Sequence, residues 1–283
     1  MTPKSRLYSL VRNWSKKPQR SVRDISPHQT YKLSEEPENE QLLQWSKAQE
    51  LSFELVLSTQ DECIQAVIMQ SIQESLLDDV IRVFHQGVQA AAYWHSFAKP
   101  TPIMFPLKVE WLMNPNVMAG IQNALFNCHL PIGLIQIGIV DRAAAQQTLS
   151  LQDAIIKLQR MGILLHLLNF EGAEEDCQLI HDHSFTHIHL KDSLIRQAIP
   201  GSLCEKKLIH LNQMIHSYGS QSVAGPIKLL HDKSVAKKHI MDAYYGPHIM
   251  PAMTLHQVIK LGNRRQEKIV AKSLVKKDSQ SIV

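Results

Sequence analysis

An α/β fold, either a barrel or a doubly wound sheet, is what this 283-residue sequence predicts, and three observations carry it. From Gln41 onward, short apolar runs alternate with stretches of helical apolar spacing. The alternation recurs at intervals that suit strand–helix–strand units. Several of the short runs are apolar at nearly every position, as parallel strands buried on both faces must be.

The elements follow in order. Ile72, Leu76, Val80, Phe84 and Val88, continuing to Ala91, Ala92 and Trp94, recur at helical spacing and predict one long amphipathic helix over about 71 to 95. The run PIMF, stopping at Pro106, comes next, followed by a helix near 115 to 127 and the strand-like LIQIGIV, which contains Gly138. A helix across SLQDAIIKLQRM leads to the strand ILLHLL, which closes on Leu168 and Asn169 before Glu171 and Gly172 open a loop. A helix from about 172, the strand THIHL with His189, a helix at about 203 to 217 and the run QSVAG ending on Gly225 complete the series.

The length suits one large core, and no central linker divides it, so a single main domain with tails is expected. The domain boundaries read as a basic then acidic segment 1–40, a barrel-forming region 41–262 and a basic tail 263–283. Residues 1–33 carry Lys4, Arg6, Arg12, Lys16, Lys17, Arg20, Arg23 and Lys32 against Asp24, and SEEPENE follows at 34–40. From Gly262 the bias returns with Arg264, Arg265, Lys268, Lys272, Lys276 and Lys277 against Glu267 and Asp278. Low apolar content makes much of both tails an expected disordered arm, either solvated or able to touch nucleic acid or an anionic surface. The start shows no signal-peptide pattern, and no apolar run is long enough to span a bilayer, so a cytoplasmic chain is expected. Cys63, Cys128, Cys177 and Cys204 lack paired Cys-x-x-Cys spacing and read as reduced, mostly buried thiols.

A metal-dependent hydrolase on such a scaffold crowds its strand ends with Asp, Glu and Asn, because hard divalent ions take oxygen ligands from several strands. Here those ends carry Pro106, Gly138, Leu168 with Asn169, His189 and Gly225. The cluster HDHSFTHIHL offers a different ligand set. His187 and His189, two apart on a strand, point the same way, whereas His181 and His183 precede the strand at the other rim. A hydrogen-bonded, partly buried pair of histidines is the expectation there, and a metal site the alternative.

The blocks PLK at 106, QIGIVD at 136, GILLHLLNFEG at 162, IHLKDSLI at 188, SVAGPIK at 222 and YGPHIMPAM at 245 resemble, in spacing and hydrophobic frame, those of the EAL domain. That family is the bacterial phosphodiesterase barrel that linearises cyclic di-GMP. Its blocks read N-L-S, E-L-T-E, L-A-L-D-D-F-G, L-K-I-D-R, V-V-A-E-G-V-E and Q-G-Y-L-F-S-R-P, and the intervals match without a gap from Pro106 to Tyr245. The resemblance implies a TIM-like (β/α) barrel. It also implies that Pro106 stands at the metal-ligating Asn and Gly138 at the Glu of the second block. Leu168 and Asn169 then stand at the paired aspartates, His189 at the catalytic Lys, Gly225 and Lys228 at two further Glu positions, and Tyr245 at the Gln.

No counterpart of the Glu-Ala-Leu block can be placed, IQAVIMQ being nearest, and Phe53 to Met69 is short for the first two strands. An abbreviated first pair of βα units is therefore expected, with a partly open wall covered by the long helix. Without carboxylates to hold Mg²⁺ or Mn²⁺, in-line attack by metal-bound hydroxide has no support, so no catalytic residue, metal or cofactor is expected. Exchanging Glu for Gly at 138 and 225 either leaves a hollow, lined by His189, Lys228 and Tyr245 and open to an anion, or lets neighbours such as Leu168 and Tyr245 fill it. Filling is the expectation. The implied role is an inactive regulatory module with a protein partner, such as a transcription regulator or an RNA-turnover factor. The alternatives are a sensor that binds cyclic di-GMP without turnover and, third, an active phosphodiesterase.

Overall fold

The computed structural model describes residues 51–72, 77–97, 100–128, 130–140, 149–258 and 260–261. The expectations for residues 1–50 and 262–283, including both basic tails, fall outside them. Strands β1 (Ser52–Ser58) and β2 (Ile64–Met69) open the barrel, followed by helix α1 (Leu77–Phe97) and strand β3 (Ile103–Lys108). Helices α2 (Val109–Leu112) and α3 (Pro115–Phe126) lead to β4 (Ile135–Val140), α4 (Leu149–Arg160) and β5 (Leu164–Phe170). Helix α5 (Glu174–Asp182), β6 (His187–Leu190), α6 (Asp192–Arg196), α7 (Leu203–Ser217) and β7 (Gln221–Ala224) continue the alternation. Helix α8 (Leu230–Lys238) and the two-residue strands β8 (Ala243–Tyr244) and β9 (Met253–Thr254) complete it.

Strands β2 to β8 pair in parallel in sequence order, and β1 closes the ring by running antiparallel between β2 and β8. The expected open wall is absent, because the chain saves a helix and not a strand. An antiparallel pair needs only a tight turn, whereas a parallel pair needs a crossover of a dozen or more residues. Residues 59–63 make that turn: Ser58 Oγ accepts from Gln60 N at 3.2 Å, and Asp61 Oδ1 accepts from Cys63 N at 3.1 Å. Lys237 and the Tyr244 hydroxyl, bonded to Glu62 at 3.0 and 2.9 Å, hold its carboxyl down at about 2 and latch the turn to α8 and β8.

Helix α1 packs on a closed wall. Phe84 meets Phe105 at 4.3 Å between ring centroids, and Phe53 meets Trp94 edge-on at 5.5 Å. Asn114 caps α3 by accepting from Asn116 N, with Pro115 at the first helical position, where its missing N–H is harmless. The start of helix α8 is held by Asp232 in its first turn, whose carboxylate accepts from the backbone N–H groups of Lys228 and Leu229 at 3.1 and 3.0 Å. The four cysteines are free; Cys63 is exposed and the others are half-buried, so the expected burial is not met. No helix among the described residues is long and apolar enough to cross a membrane.

Candidate functional site

Strand alternation sends every second side chain to the barrel axis. Val56, Ala66, Ile68, Met104, Val140, Leu168, Val223, Ala243 and Tyr245 form an apolar cluster there, separate from the larger core between strands and helices. Pro106 and Gly138 face each other across β3 and β4. A Cβ built on Gly138 overlaps Leu168 Cδ1 and lies 2.7 Å from Met104 Sδ. One built on Gly225 lies 2.5 Å from Tyr245 Cε1. Leu168 and Tyr245 thus occupy the volume that a side chain at Gly138 or Gly225 would need.

Tyr245 is buried, and its hydroxyl pKa is pushed up by that burial, then by the charges of Glu54 and Asp192. Glu54, missed by the sequence reading, pairs across the hairpin with Ile68 and so shares the inward face. Burial raises its pKa against a 2.5 Å hydrogen bond donated by Gln70 Nε2. The signal that could have revealed it was the acid inside the apolar alternation of SFELVLS. Lys228 lies half-exposed and ion-paired with Asp192 at 3.2 Å. Asn169 sits at φ 55° on an exposed bulge between Leu167 and Phe170. Glu171 pairs with Lys191 at 2.9 Å.

Deeper in the barrel the axis is polar. His166 Nδ1 and His189 Nε2 are 3.1 Å apart, and the His187 ring stacks on His166 at 4.3 Å between centroids. The expected partner of His189 was His187; the structure substitutes His166 from the neighbouring strand, because parallel register sets His166 beside His187. Burial, reinforced by the neighbouring imidazoles, holds the pKa of His166 well below its usual value and that of His189 down at about 3. His187 lies at about 4, mainly through burial. His181 is exposed and bonded to Asp182, apart from this trio.

No protein-family model and no curated protein sequence matches the chain. Solved structures do. The EAL enzyme Bd1971, in its cAMP- and cyclic-di-GMP-bound form, superposes with a TM-score of 0.67 at 10% identity, over 78% of this chain and 67% of that one. The EAL domain of DcpA from Mycobacterium smegmatis gives 0.67 at 12% identity, over 76% and 96% of the two chains. The cyclic-di-GMP-bound FimX EAL domain of Xanthomonas citri gives 0.62 at 12%, over 72% and 87%.

The chain has the fold of an EAL domain.

Among the described residues no three of His, Cys, Asp and Glu are grouped to hold a metal. Three of the described acids have partners of their own: Glu54 is bonded to Gln70, Asp192 to Lys228 and Arg196, and Glu171 to Lys191. Besides Glu54, the inner positions described above carry Met104, Gly138, Leu168, Gly225 and Tyr245.

Proposed function

We propose that this chain is a catalytically inactive EAL-like module acting in bacterial cyclic di-GMP signalling through a protein partner, such as a transcription regulator or an RNA-turnover factor. The carrying observation is the packing of Leu168 against Gly138 and of Tyr245 against Gly225. Phosphodiester hydrolysis on a barrel of this kind needs cations held between carboxylates and a water acidified by them. Aliphatic and aromatic groups in that volume supply neither. In this reading Pro106, Gly138, Leu168, Asn169, His189, Gly225, Lys228 and Tyr245 are the remains of a site, and the basic termini add nucleic-acid or anionic-surface contacts.

The test is incubation of the purified chain with cyclic di-GMP across Mg²⁺ and Mn²⁺ concentrations, with isothermal titration in parallel. No linear product above a buffer control is expected, and no binding heat. Product formation proportional to protein would overturn the reading. Binding without product would replace it with a nucleotide sensor.

A further inference from the structure

We infer that the face where α7 begins and α8 ends is a contact surface for anionic lipid membranes. Three aliphatic side chains stand out from it: Ile199 is 62% exposed, Leu203 83% and Ile240 71%. One buried carboxylate gathers them. Glu205 accepts from Gly201 N at 2.6 Å and from Lys238 Nζ at 2.7 Å, and lies 3.2 Å from His239 Nε2. Ile199 also belongs to this junction, its carbonyl accepting from Ser202 N at 2.9 Å. The loop before α7 and the residues after α8 are thereby fastened side by side.

The exposed acids around this face are engaged by bases or backbone, and its free charge is lysine. Glu205 is 8% exposed and holds Lys238, Glu62 holds Lys233 and Lys237, and Asp242 is bonded to His216 and to Ser222 N, whereas Lys206 and Lys207 are exposed on the first turns of α7. Ile240 has φ 52°, a left-handed backbone that a β-branched residue rarely adopts. A strained, exposed isoleucine at a loop tip is a poor choice for stability, and such outliers collect where function holds them. Protruding aliphatic knobs ringed by lysines suit a soft, anionic interface in which the knobs enter the acyl boundary and the ammonium groups meet headgroups. An RNA would use the lysines but has no need of the knobs.

The experiment is co-sedimentation of the full chain with phosphatidylcholine vesicles, with and without phosphatidylglycerol. Ile240→Gly and Leu203→Ala are each expected to lower partitioning by about ten-fold. Lys206→Gln with Lys207→Gln is expected to lower it by about five-fold per charge, on anionic vesicles only. Ile240→Gly relaxes the left-handed backbone, so its melting temperature stays level or rises, separating loss of contact from unfolding. Failure of the full chain to sediment with anionic vesicles would overturn the inference, as would variants that partition like the parent chain. Variants that lose retention of an RNA or an acidic peptide, and not of vesicles, would assign the face to that partner instead.

Discussion

Gly138 and Gly225 are where single atoms decide the chemistry open to this barrel. A carboxylate introduced at either position enters space already held by Leu168 or Tyr245, so it meets both overpacking and the burial of an unpaired charge. Gly138→Glu and Gly225→Glu are each expected to destabilise the chain by about 3 kcal/mol or more, read from the urea midpoint at unchanged slope. Pairing Gly225→Glu with Tyr245→Ala should recover part of that loss. Recovery of nothing would mean that the overlap is not the cause. Asn169 behaves differently. Its amide suits the left-handed backbone of the bulge, so Asn169→Gly should be tolerated, whereas Asn169→Val should lose about 1–2 kcal/mol. Equal melting temperatures for the two would show that the bulge relaxes freely.

Strands β5 and β6 bring three imidazoles to one place, and this gives the barrel a pH dependence with a definite sign. All three are held neutral in the folded chain, with pKa values below the 6.5 of a free histidine. The unfolded chain therefore binds more protons as pH falls, and stability is lost on going below about 6.5, by about 1.4 kcal/mol per pH unit for each histidine. The loss from His187 levels off near its folded value of about 4, and that from His189 near about 3. Urea titrations between pH 7.5 and 4.5 should show this slope, and His189→Met should flatten it by about one proton. An unchanged slope would clear the trio of responsibility.

The sequence showed most of these elements, because helical spacing and short apolar runs mark them directly. It hid β8 and β9, since two-residue strands carry no period, and it hid the β1–β2 hairpin, whose economy looked like a deficit. At the candidate site, the filling of the glycine positions by Leu168 and Tyr245 was readable from the retained apolar positions, which mark a core still under packing constraint. The partnership of His166 with His189 was not, because it depends on parallel register between strands.

Over the whole molecule the barrel is closed unevenly. Strands β3 and β4 share register from Ile103 to Lys108, whereas β1 meets β8 only at Leu57–Tyr244 and Ser58–Ala243, and β9 only at Ser52 and Phe53. The seam is the low-stability end of the sheet. Amide exchange at Tyr244 and Met253 should therefore outpace that at Ile137 and Leu167 by orders of magnitude. Uniform protection around the ring would show that the Glu62 latch to Lys237 and Tyr244 seals the seam as firmly as a long ladder.

The two glycine–bulky pairs also limit which single substitutions this barrel accepts. A glycine codon can become a glutamate codon by one base change, yet here each such step collides with a neighbour that must shrink first. Shrinking Leu168 or Tyr245 alone leaves a void beside a glycine, which is unfavourable in its turn. Each pair is therefore a two-part lock: a carboxylate fits at either glycine only when its bulky neighbour is reduced at the same time, so a double substitution and not a single one is the route to an acidic inner wall.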